Sequence, residues 1–101
     1  MTRLDIRYLS SAEKDLLGIY EYIRHDNPRA AGAFVGKIDR AVGRLAEHPF
    51  LGVVPKDERL AELGYRVLVV EKILVFYVVK PPVVQIRRVL HGARRFAFLV
   101  E

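Results

Sequence analysis

The residues with most chemical potential stand together near the end of the chain, in Arg87-Arg88-Val89-Leu90-His91-Gly92-Ala93-Arg94-Arg95-Phe96, with Arg66 on an earlier apolar run. Residues 64–100 hold seven Lys/Arg against one acid, Glu71, whereas residues 1–63 hold ten of each. The whole positive excess therefore lies in the last third. A localised positive field favours a polyanion or an acidic protein partner and says little about the fold. Arg94 and Arg95 run into Phe96 and Phe98, a mixture of cations and aromatic rings that suits contact with nucleic acid or protein. The alternative is a terminal segment that docks its phenyl rings back onto the core.

Arg88 alternates with Val84, Ile86 and Leu90 and is expected to share a sheet face with them; Arg66 is expected to share one with Leu68 and Val70. A guanidinium on an apolar face needs a carboxylate, backbone carbonyls or a ligand. Either an acid such as Glu71 or Asp5 answers it, or a bound phosphate or partner carboxylate does. His91 is the histidine within the basic cluster, while His25 and His48 sit at helix ends. Neighbouring arginines disfavour its charged form, which suits a neutral base near pH 7; the bland role is closing a strand by a hydrogen bond to backbone. The three histidines have no metal-ligand spacing and the chain has no cysteine, so neither metal nor cofactor is expected. Gly-x-Ser-x-Gly and glycine-rich phosphate loops are missing from the sequence.

These side chains need elements to position them. Leu4–Leu9 alternates as a short strand. Ser10 stands three residues before Glu13, the spacing of a capping box. Ala12, Leu16, Ile19, Tyr20 and Ile23 then form one stripe, predicting a helix over 11–24. Asn27 is a favoured N-cap, and Pro28 at the next position loses no hydrogen bond. The second helix is expected to run to Glu47 with Ala31, Phe34, Ile38, Ala41 and Leu45 inward, and Pro49 ends it. Gly32, Gly36 and Gly43 inside it predict close packing or a partner contact. After a loop with one helical turn within Asp57–Leu63 come strands 65–70, 73–79 and 83–90, joined by Glu71-Lys72 and Lys80-Pro81-Pro82. The fold class is α+β, order βααβββ: an antiparallel sheet with a helical hairpin packed on one face.

With 101 residues, 51% of them apolar, one domain spanning 1–101 is expected. The longest apolar run, Ile73–Val79, is far short of the roughly 20 residues a membrane helix needs. The N-terminus has no apolar signal core, so a cytoplasmic location with no membrane partner is expected.

The element order and an ordered set of motifs resemble the RelE/ParE toxin superfamily of type II toxin–antitoxin pairs. The carriers are Asp26-Asn27-Pro28 with Ala30-Ala31, then His48-Pro49-x-Leu51-Gly52, Gly64-Tyr65-Arg66-x-Leu68-x-Val70, Val75-Phe76-Tyr77 and Arg88-Val89-Leu90-His91-Gly92-Ala93-Arg94. The resemblance implies a growth-inhibiting toxin, neutralised by a cognate antitoxin through an acidic amphipathic segment. RelE-like members are similar to metal-independent mRNA endonucleases that act on the ribosome; ParE-like members poison DNA gyrase and have no catalytic role. In a nuclease, Arg66 and Arg88 would stand where strand arginines are kept and His91 near the acid/base. This chain departs from that pattern: no tyrosine follows Tyr77, and the loop before Gly64 carries the single lysine Lys56. The ending from Arg88 to Arg94 resembles the ParE side, so a gyrase poison is the favoured expectation, with the ribosome-dependent nuclease or a non-toxic relative as alternatives. The contact residues expected for target or antitoxin are Arg66, Arg88, His91, Arg94, Arg95 and Phe96.

Overall fold

The computed structural model describes residues 3–92. Strand β1 (Asp5–Tyr8) leads into helix α1 (Ser10–Asp26), which turns back through Asn27 into helix α2 (Pro28–Gly43). Arg44–Ala46 tightens into a 3₁₀ turn, a short helix α3 (Glu58–Glu62) follows a loop, and then come β2 (Tyr65–Val70), β3 (Ile73–Lys80) and β4 (Val83–His91). The order is the expected βααβββ. The four strands lie in one sheet as β1-β4-β3-β2. Pairing is antiparallel through β2, β3 and β4, as the short connections require. β1 joins parallel to β4, with Asp5 opposite Val83 and Tyr8 opposite Ile86, because the whole hairpin of helices intervenes between the two strands.

The helix junction is as the sequence implies: the Asn27 side chain accepts from the Ala30 N–H at 3.1 Å, with Pro28 in the first turn. The capping box at Ser10 is not formed. Leu9 takes the cap position, and the Ser11 hydroxyl instead donates to the Arg87 carbonyl at 2.8 Å. The helix begins at Ser10 itself, one residue earlier than expected, so the Ser10 side chain lies inside the first turn and not at the cap. The glycines of α2 are not sites of close packing: a Cβ at Gly32 or Gly43 would meet nothing within 4 Å, and one at Gly36 only the tip of Arg40.

The sheet buries both faces. Toward the helices, Val70, Ile73, Val75, Tyr77, Val84, Ile86 and Val89 pack with Ala12, Ile38, Val42 and Leu45. On the other face, Tyr65, Val67, Phe76, Val78 and Leu90 close around Leu60 of α3.

The assignment of Arg88 to the face of Val84 and Ile86 is corrected by the register. Tyr77 pairs with Ile86 but Phe76 pairs with Arg88, so β4 carries one extra residue, Arg87. This β-bulge shifts the alternation by one. Val89 moves to the helix side, Leu90 to the other, and Arg87 and Arg88 both fall on the second face.

The loop before α3 hangs on one phenol. Tyr77 is fully buried, its hydroxyl donates to the Pro49 carbonyl at 2.8 Å and accepts from the Gly52 N–H at 2.9 Å. A Cβ on Gly52 would lie 2.7 Å from that hydroxyl and 2.8 Å from the Val67 carbonyl. Gly52→Ala is expected to destabilise the fold by about 1–3 kcal/mol through overpacking. Tyr77→Phe is expected to cost about the same by orphaning a buried donor and acceptor. Urea unfolding of both variants checks the pair; wild-type stability for Gly52→Ala would show that the loop is not locked there.

Candidate functional site

Beyond Tyr8, β1 no longer covers the edge of β4, and α1 takes its place. Leu9 N–H donates to the Ile86 carbonyl at 2.9 Å, and Ser11 to that of Arg87. One turn on, Asp15 receives Val89 N–H at 2.9 Å and the Arg88 guanidinium at 2.7 and 2.9 Å. The partner of Arg88 is therefore Asp15, not Glu71 or Asp5. Both side chains are largely shielded, 23% exposed for Arg88 and 11% for Asp15. The hydrogen bonds that Arg88 donates to Asp15, more than the carboxylate's charge, hold the Arg88 pKa above the ordinary arginine value.

Arg66 shares the helix-side face with Leu68 and Val70, as expected, since it pairs with Tyr77. Its guanidinium is answered by backbone: it donates to the Gly52 carbonyl at 2.8 Å and lies 4.9 Å from the centre of the Phe50 ring. His91 pairs with Ile73, four residues along β3 from the partner of Arg66. That is about 13 Å along the strands, on a different strand, while Arg88 belongs to the opposite face. Arg66, Arg88 and His91 do not converge. Arg94, Arg95 and Phe96 lie outside the described residues.

Two surfaces emerge. The first is a groove of about 1050 Å³ between α1 and the β3–β4 end of the sheet. Gly18, Ile19, Tyr22, Phe34, Ile73 and Val89 give it an apolar floor and walls, and Lys14, Asp15, Glu71, Lys72 and His91 a charged rim. Tyr22, at the groove, is 83% exposed. Lys37 bridges α2 to Glu71 beside the groove, and its hydrogen bond and charge lower the Glu71 pKa.

The second is the sheet face opposite the α1–α2 hairpin, partly covered by α3, where the sequence reading had not placed any site. Arg87 hydrogen-bonds Gln85 Oε1 through Nε and NH2 at 3.3 and 3.0 Å and lies 5.4 Å from the centre of the Tyr65 ring. Arg7 stands beside Gln85 across the β1–β4 pair. The signal that could have found it is the alternation along β4, which sets Gln85 and Arg87 together on the face opposite Val84 and Ile86. Other perturbed groups serve the framework. Burial first, then the hydrogen bond to Asp39, raises the Tyr8 phenol; burial likewise raises Tyr77. No group of His, Cys, Asp and Glu among the described residues could hold a metal ion.

The chain matches the sequence family described as the ParE toxin of the type II toxin–antitoxin system, parDE, over residues 6–96. No curated protein matches it. Among solved structures it is similar to a chain of the chromosomal ParDE toxin–antitoxin system from P. aeruginosa, with TM-score 0.75 and 22% identity over 90% of this chain and 98% of that one. A chain of the RelBE2 toxin–antitoxin complex from Mycobacterium tuberculosis gives TM-score 0.63 and 23% identity, covering 93% and 97%. At these identities the likeness to the two structures establishes the fold.

Asp15→Ala would strip three hydrogen bonds at once, leaving a shielded guanidinium and a strand N–H without their partner. A loss of about 3–5 kcal/mol is expected, and Arg88→Ala should cost nearly as much. In a double-mutant cycle followed by chemical denaturation, the two effects should overlap strongly rather than add. Simple additivity would mean that the pair does not hold α1 to the sheet.

Proposed function

Because the chain belongs to the ParE toxin family of type II toxin–antitoxin systems, we propose that it stops growth by poisoning DNA gyrase and is neutralised by a cognate antitoxin. The observation that carries the choice of target is the separation of Arg66, Arg88 and His91. Cleaving RNA requires one group to take the 2′-hydroxyl proton, one to protonate the leaving oxygen, and cations at the developing phosphorane charge, all within hydrogen-bond reach. Here Arg66 is occupied by the loop carbonyls, Arg88 by Asp15, and His91 stands at the far end of β4. A poison that holds a protein–DNA intermediate needs no proton transfer, only a surface of fixed shape and charge.

The groove beside α1 is the proposed seat of the antitoxin. Its apolar floor and exposed Tyr22 offer burial worth about 25 cal/mol per Å² of area covered, and Lys14 and Lys72 on its rim would orient an acidic amphipathic segment. Steering of that kind makes the association rate fall as salt rises.

Purified toxin is expected to make gyrase accumulate cleaved plasmid DNA and to trigger DNA-damage signalling on expression, while reporter mRNA in a translating extract stays intact. Codon-specific cuts in that mRNA, abolished by His91→Ala, would overturn the gyrase reading in favour of a ribosome-dependent nuclease.

A further inference from the structure

We propose that the sheet face opposite the α1–α2 hairpin is a seat for the phosphodiester backbone of duplex DNA, formed by Arg7 on β1 with Gln85 and Arg87 on β4. The inference deepens the gyrase reading, since that target works on duplex DNA, and it names a surface distinct from the groove.

Three observations carry it. First, Gln85 and Arg87 share this face of β4, and Arg7 stands one strand away beside Gln85, so two cations lie on neighbouring strands of one face. Second, the Arg87 guanidinium is held before any ligand arrives. Gln85 takes its Nε and NH2 hydrogens and the Tyr65 ring supports its plane, so NH1 remains to meet an anion. A guanidinium fixed in this way loses little rotamer freedom on binding and suits the geometry of phosphate oxygens. Third, neither Arg7 nor Arg87 has an ion-pair partner among the described residues, whereas Arg88 beside them is neutralised by Asp15. Lys80 adds a further positive charge at the end of this face; Asp5 stands on it too, and α3, which packs on it through Leu60, carries Glu58 and Glu62.

The same geometry discriminates against single strands. Single-stranded nucleic acid is gripped chiefly by stacking bases on exposed rings. The rings of this face are Tyr65, 5% exposed, and Phe76, fully buried, and Arg87 lies over the first. Bases find no platform there. What remains is contact to a backbone whose bases are already enclosed, as in a duplex.

Fluorescence anisotropy of a labelled DNA duplex with the full chain tests this. Two phosphate contacts should make binding fall roughly tenfold between about 50 and 200 mM salt, a log–log slope near −1.8. Arg7→Ala with Arg87→Ala should remove most of that slope and weaken binding about tenfold at the lower salt. Arg7→Ala alone, at an exposed position, should remove about half of the slope and covers the case in which Arg87→Ala disturbs the strand. Arg3→Ala with Arg24→Ala removes the same formal charge from arginines paired to Glu47 and Glu21, and should leave binding unchanged. The proposal fails if the duplex does not bind, if the control pair weakens binding equally, if single-stranded RNA binds as tightly, or if polyglutamate displaces the duplex as well as polyphosphate does. No gyrase enters the assay, so either reading can fail without the other.

Discussion

The structure depends on how the uncovered edge of β4 is satisfied. β1 pairs with β4 only as far as Ile86, leaving the rest of the strand with outward N–H and C=O groups. Unpaired groups of this kind cost as much as lost hydrogen bonds and invite pairing with other chains. The first turns of α1 answer them in sequence, with Leu9 N–H and the Ser11 hydroxyl on two carbonyls and the Asp15 carboxylate on Val89 N–H. A helix thus stands in for a strand, and Asp15, by also gripping Arg88, ties the helical hairpin to the sheet.

From this follows the division of labour between the arginines. Arg88 and Arg66 are bound into the framework, one by a shielded carboxylate and one by the carbonyls of the 50–52 loop. Among the described residues Arg87 holds a neutral amide and an aromatic ring, with no carboxylate against its charge. Three arginines that look alike in sequence therefore differ in role because their partners differ. Buried pairing makes a cation structural; support without neutralisation leaves it available to a ligand.

The two surfaces are chemically unlike and lie on different sides of the sheet. The groove beside α1 is apolar with mixed charge at its rim, whereas the second face presents fixed cations over buried rings. Under the proposed assignments an antitoxin seated in the first need not touch the second, so neutralisation and target contact would be separable.

The sequence by itself determined the elements and their order. Apolar periodicity, the Asn27-Pro28 junction and short connections between strands are local signals, and the helices and strands lie close to where those signals put them. The superfamily was legible too, because its motifs keep their spacing along the chain. What the tertiary structure decided was which partner each polar group would meet. Ser10 has no capping role because the helix begins at Ser10 itself, after Leu9 pairs with the sheet edge, and Arg88 found Asp15, which lies 73 residues away. The bulge at Arg87 is one inserted residue, invisible to a period-two reading, yet it reverses every face beyond it. Local propensity acts over a few residues, whereas charge pairing and strand register are settled between elements far apart in sequence, and the candidate surfaces are made of those.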